Sequence, residues 1–265
     1  MVNHEREYLN KGWTQFGTDT RLLNWVHQIC PFANRVLHAP ENKEWFRYGN
    51  TWFAGVNVLP NRTDGSVEST DALQCDATEF IQQIGLQSTI ELDNGQLSVC
   101  YPGYPKPSPT ESEAANRYRR NRDAAHLDGL LPVGDKRRRY LKEMHAYILG
   151  IPMNLFPEHA APFVLWEGSH HLIRDSLRQL FGDTDPENWG SQDITDFYQS
   201  LRRRIFDNCS RVEVHAKPGE AFVVHRMMLH GVAPWENIES ESGAMRMICY
   251  FRPAVTNPRN WLYGA

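Results

Sequence analysis

His126-Leu127-Asp128 sets an imidazole and a carboxylate two residues apart. On a strand, side chains repeat with a period of two, so both would face the same side. Such a pair can hold one metal ion, and imidazole with carboxylate suits Fe(II). Alone it says little. With 11 His and 32 acidic residues in 265, about one His-x-Asp/Glu arises by chance. A surface turn in which Asp128 leads into Gly129 explains the pair equally well. The downstream residues shift that balance. Residues 219–231 read Gly-Glu-Ala-Phe-Val-Val-His-Arg-Met-Met-Leu-His-Gly: a turn, an apolar strand, and His230-Gly231 opening the next strand. Arg246 follows sixteen residues after His230, in the strand-like MRMICYF of 245–251. Upstream, 161–170 (APFVLWEGSH) is a strand that enters Gly-Ser-His.

Taken in this order, the set resembles the phytanoyl-CoA dioxygenase family of Fe(II)/2-oxoglutarate oxygenases, over about residues 120–253. The resemblance implies a double-stranded β-helix core. It implies His126, Asp128 and His230 as the ligands of Fe(II), and Arg246 as the grip on the far carboxylate of 2-oxoglutarate. Two His and one carboxylate leave open positions on an octahedral metal for a chelating 2-oxo acid and O2. An arginine's planar fork suits the distal carboxylate better than a lysine does. The implied reaction is hydroxylation of a small or medium organic molecule, with release of succinate and CO2. In related halogenases a small residue replaces the carboxylate. Asp128 keeps it, which favours hydroxylation.

The chain departs from the family at three places. Glu167 stands where the family prefers Pro. Val232 stands two after His230, where a small polar residue is common, so one cosubstrate contact is missing or moved. Lys136-Arg137-Arg138-Arg139 lengthens the connection after the His-x-Asp. The alternative reading is a non-catalytic, cupin-like small-molecule-binding protein. The intact His126, Asp128, His230 and Arg246 speak against it. Zinc hydrolysis lacks a His-Glu-x-x-His glutamate.

Other candidates are weaker. His225 lies five before His230, so strand alternation faces it away and suggests a supporting role. His145 and His170-His171 are candidates for substrate contact, and Asn57 for the cosubstrate. Arg252 lies six after Arg246, shares its parity and competes for 2-oxoglutarate; the family pattern favours Arg246. Eight Lys and Arg between 117 and 139 bracket the metal pair. They read as a solvated face, or as a funnel for an anionic substrate.

The elements that must position these residues read as mainly β with helical additions, a jelly-roll or cupin-like core. Helices are expected at 19–30 (ended by Pro31), 71–85, 174–181 and 193–206. Strands are expected at 51–59, 143–151, 161–166, 211–216, 221–225 and 245–251. A hairpin joins 88–92 to 96–101 through Asp93-Asn94-Gly95, and Pro102 to Pro109 is a loop. A chain of 265 residues fits a single domain over 1–265, with N-terminal support over about 1–110 and the metal-binding core over about 120–253. A net charge of −4 argues against a nucleic-acid binder. No apolar run spans a membrane, and the start does not read as a signal peptide. Five scattered cysteines without a Cys-x-x-Cys pair point to a reducing, cytoplasmic setting.

Overall fold

A computed structural model describes residues 3–109, 111–236 and 243–264. The chain opens with α1 (His4–Lys11), β1 (Trp13–Phe16) and α2 (Thr20–His38). Then come β2 (Phe46–Arg47), β3 (Trp52–Gly55), α3 (Asp76–Gln83), β4 (Gln96–Cys100) and α4 (Glu113–Asn121). The middle holds β5 (Leu130–Val133), β6 (Arg138–Leu141), β7 (Tyr147–Pro152) and β8 (Phe163–Trp166). Three helices follow: α5 (Ser169–Phe181), α6 (Pro186–Trp189) and α7 (Thr195–Asn208). The chain ends in β9 (Arg211–Val214), β10 (Ala221–His225), β11 (His230–Val232), β12 (Arg246–Phe251) and α8 (Pro258–Tyr263).

Seven strands form one antiparallel sheet in the order β1-β10-β7-β12-β4-β3-β2, and β11-β8-β9 form a second. A β5-β6 hairpin stands apart. Strand alternation divides the core. Ile248 and Tyr250 of β12 meet Phe163 and Leu165 of β8, and Phe222 and Val224 of β10, between the sheets. Met247, Cys249 and Phe251 point the other way, into the layer that α2 and α3 cover. Helices α5, α7 and α8 cover the outside of the smaller sheet. Because β12 is buried on both faces, its sequence is an apolar run rather than an alternation. This is the expected mainly β jelly roll with helical additions.

Local expectations fared unevenly. Helix α2 does not stop at Pro31 but carries it inside and runs to His38. The proline costs about 3 kcal/mol. Leu22, Trp25, Val26, Ile29, Ala33 and Leu37 are all buried, and each large apolar side chain returns about 1.5–3 kcal/mol. Residues 88–92 are not a strand; β4 pairs with β3 and β12 instead. The Asn61 side chain accepts from Gly95 N–H at 2.8 Å and turns the chain into β4. The expected 71–85 helix starts only at Asp76, although Leu73 is buried as its apolar pattern required.

Helix α1 had no clear signal and packs over a buried histidine cluster. His170 and His225 have ring centroids 5.0 Å apart, and Tyr8 lies 5.7 Å from His225. Burial, aided by neighbouring His171, pushes His170 down from 6.5 to about 4. Burial holds His225 low as well. The unfolded chain therefore takes up protons below pH 6.5 that the folded chain refuses until about pH 4. Stability falls as pH drops through that window and levels off beneath it. At about 1.4 kcal/mol per pH unit, His170 accounts for up to about 3 kcal/mol. Denaturant titrations at several pH values check this: His170→Gln should lose less stability on acidification than the native chain. Equal losses would refute it.

Candidate metal centre

His126 and Asp128 do not lie on a strand, contrary to the expectation from their spacing. They sit in the loop between α4 and β5, which joins the smaller sheet through an isolated bridge at His126. There His126 and His230 exchange both backbone hydrogen bonds, at 2.8 and 3.1 Å. That bridge, not strand period, sets the rings side by side with centroids 4.5 Å apart. The loop presses on Gly231, where a Cβ would come within 2.1 Å of the Asp123 carbonyl oxygen. This explains the glycine after His230. The Ser169 hydroxyl accepts from Leu229 N–H at 3.0 Å and steadies the other side of His230.

One donor atom from each of His126, Asp128 and His230 falls within a 4.8 Å group. Asp128 Oδ1 lies 3.4 Å from His126 Nε2 and 3.7 Å from His230 Nε2. Each ring is tied back through Nδ1, to the Ala124 carbonyl at 3.0 Å and the Met228 carbonyl at 2.9 Å. A carbonyl only accepts, so Nδ1 carries the proton and Nε2 offers a lone pair to the centre. Burial pushes His230 down to about 4, against the pull of Asp128, so it stays neutral well below pH 6. Burial alone would raise the Asp128 carboxyl. The Arg252 guanidinium, the strongest opposing influence, outweighs it and holds Asp128 well below the usual carboxylate range. The donor set is thus convergent, with Asp128 ionised and His230 neutral, as a divalent cation requires.

The two competing arginines separate cleanly. Arg252 Nη1 lies 3.3 Å from Asp128 Oδ2, which leaves Oδ1 facing the histidines. Arg246 is 0% exposed and meets no carboxylate among the described residues. It donates to the Tyr250 hydroxyl at 3.1 Å and touches Cys100 Sγ at 3.5 Å, while its Nε has no partner. Burial raises both neighbours, Cys100 to about 11 and Tyr250 to about 12, so neither supplies a negative charge. A buried cation without a counter-ion is costly, and this one fits an anion from outside the chain. Tyr250 links it to the donor set, because Tyr250 and Asp128 line the same cavity of about 80 Å³.

Trp52, Gln96, Ser98, Ile148 and Phe163 line that cavity too. Gln96, Ser98 and Cys100 make a polar face on β4 opposite Leu97 and Val99, a period-2 signal that sequence reasoning passed over. None of the eight basic residues lines the cavity. Arg119 pairs with Glu111 at 2.7 Å, Arg138 pairs with Asp193 and Asp196, and Arg122 stacks on Phe206. His225 and His170 belong to the cluster beneath α1, as alternation predicted for His225. His145 bonds the Arg252 carbonyl and Glu143. Asn57 does not line the cavity.

The architecture is similar to that of solved non-haem α-ketoglutarate-dependent enzymes. The chain is similar to SnoK, a carbocyclase of that kind from nogalamycin biosynthesis. The TM-score is 0.50 at 14% identity, over 95% of this chain and 83% of that one. It is equally similar to EvdMO1, with TM-score 0.50 and 14% identity over 96% of this chain, but spans only 50% of EvdMO1. HygX from Streptomyces hygroscopicus, with nickel and 2-oxoglutarate bound, gives a TM-score of 0.46 at 11% identity, over 97% of this chain and 88% of that one. No protein-family model and no curated protein matches the chain. These identities speak to the fold. None of the helices among the described residues is long and apolar enough to cross a membrane.

Proposed function

We propose that the chain is a single-domain Fe(II)- and 2-oxoglutarate-dependent oxygenase, of the phytanoyl-CoA dioxygenase type, that hydroxylates a small or medium organic substrate. The carrying observation is Arg246, a fully buried cation with no carboxylate partner among the described residues, bonded to Tyr250, which lines a cavity together with the two-His, one-carboxylate donor set. His126, Asp128 and His230 would hold the metal, and Arg246 with Tyr250 the distal carboxylate of 2-oxoglutarate. When bound, the pair supplies oxidation of a C–H bond by O2, with succinate and CO2 released. The chain's own part is to hold both imidazoles in one tautomer, keep Asp128 ionised and line the cavity with apolar walls. Val232 offers no hydroxyl to the cosubstrate, which puts more of the grip on Arg246. Asp128 fills the position that halogenation would need open, which supports hydroxylation. The carbocyclase reaction of SnoK shows that this fold also hosts other outcomes.

The walls beside the metal favour a neutral, partly apolar substrate over the anion that the basic runs suggested. Trp52, Ile148 and Phe163 are apolar, Gln96 and Ser98 are uncharged, and the cation there, Arg252, is already paired. The five unpaired thiols fit a cytoplasmic setting. A panel of neutral and anionic metabolites, assayed for Fe(II)- and 2-oxoglutarate-dependent succinate release with product mass spectrometry, tests the proposal. Neutral compounds should stimulate release and gain one oxygen. Stimulation by anions alone would overturn the substrate reading, and a chlorinated product the hydroxylase reading. Failure to bind both metal and 2-oxoglutarate would overturn the whole.

A further inference from the structure

We infer that Arg202 is a positioning residue that clamps the metal-binding loop from outside the barrel, through Tyr118 and Tyr198; the inference rests on the proposed metal centre. His126 is the exposed member of the donor set. Its side chain is 50% exposed, against 6% for His230, so packing does not hold its ring. Its direction depends on the backbone of 124–127. Two tyrosine hydroxyls hold that backbone on either side of His126. Tyr198 of α7 accepts from Leu127 N–H at 2.8 Å, and Tyr118 of α4 donates to the Ala125 carbonyl at 2.7 Å.

Arg202 joins the two. Its Nη1 donates to the Tyr118 hydroxyl at 2.8 Å and reaches the Ala125 carbonyl at 3.5 Å. Its guanidinium carbon sits 4.9 Å from the Tyr118 ring centroid and 4.7 Å from that of Tyr198. No carboxylate pairs with Arg202 among the described residues. The cation is held by two aromatic faces, by the Tyr118 hydroxyl of α4 and by the Ala125 carbonyl of the loop. Helix α7 does not need it for docking, because Tyr198, Leu201 and Ile205 already bury that face. Among the described residues, the polar contacts of Arg202 end on Tyr118 and on Ala125, the residue before His126.

Co(II) binding, read by titration and by the visible absorption of the bound ion, tests the clamp. Tyr198→Phe leaves the buried Leu127 N–H without its acceptor, and Arg202→Met removes the bridge at similar volume. Each should weaken Co(II) binding about tenfold and shift the absorption band. Arg202→Lys keeps a charge but not the fork and should recover only part of the affinity. Ile205→Val, in the same helix, should lower stability to denaturant while leaving Co(II) affinity and spectrum unchanged. Native Co(II) affinity and spectrum in both Tyr198→Phe and Arg202→Met would overturn the clamp. A native chain that does not bind Co(II) would overturn the metal-centre reading, and the clamp with it.

Discussion

Arg246→Met weakens 2-oxoglutarate binding by about 2–5 kcal/mol, roughly thirtyfold to several-thousandfold, without lowering the stability of the ligand-free chain. The two halves of this expectation come from one fact. Arg246 is fully buried and its neighbours are a neutral thiol and a neutral phenol. In the free protein the guanidinium carries its desolvation cost with no ion pair among the described residues to offset it, so an apolar side chain of similar length should be tolerated or favoured. On the proposed assignment the same guanidinium would pair with the distal carboxylate of 2-oxoglutarate, and its removal would strand that charge. Arg252→Met should behave the opposite way. It should cost little 2-oxoglutarate affinity by comparison and should lower stability, because it breaks the contact with Asp128. Calorimetric titration of the Fe(II)-loaded protein with 2-oxoglutarate, beside thermal melts of the ligand-free variants, separates the two. A larger loss of 2-oxoglutarate affinity in Arg252→Met than in Arg246→Met would reverse the assignment.

Sequence alone separated these arginines only in part. Strand alternation gave both the same parity, that of Ile248 and Tyr250, which face inward between the sheets, with Arg252 just past the end of β12. Parity says nothing of depth, and depth decides which arginine meets Asp128. The β-strands around His230 and Arg246 were legible because apolar runs between turn residues carry that signal locally. The placement of His126 and Asp128 was legible only as a juxtaposition. Their common side comes from a bridge to a residue 104 positions away, and period-2 reasoning reached the right pairing for the wrong cause. Pro31 misled for a similar reason: a local breaking signal lost to burial of a long apolar face. Residues 88–92 lost their strand because β4 had better partners in β3 and β12. Tyr118, Tyr198 and Arg202 left no trace, because their meeting depends on how two distant helices pack.

Asp128→Ala tests the centre most severely, since the carboxylate serves two partners at once. Oδ1 faces His126 and His230, and Oδ2 faces Arg252 at 3.3 Å. Its loss should abolish Fe(II) binding, because two imidazoles alone make a weak, open site. It should also destabilise the metal-free chain by about 3 kcal/mol, as removal of one partner leaves a largely buried arginine without its ion pair. That contribution depends on pH in a stated direction. The folded carboxyl titrates well below its ordinary 3.8, so its stabilising effect is present above that value. It is lost as pH falls toward the folded value, where the folded carboxyl also takes up a proton. Asp128→Ala removes this acid-side loss together with the stability itself. Pairing the change with Arg252→Met should return most of the stability, because no charge is then stranded, yet return none of the metal binding. Denaturant titration of the metal-free single and double variants, with anaerobic Fe(II) titration of each, measures both effects. Native Fe(II) affinity in Asp128→Ala would remove the carboxylate from the donor set. A double variant no more stable than the single would show that Arg252 is not held by Asp128 as the 3.3 Å contact requires.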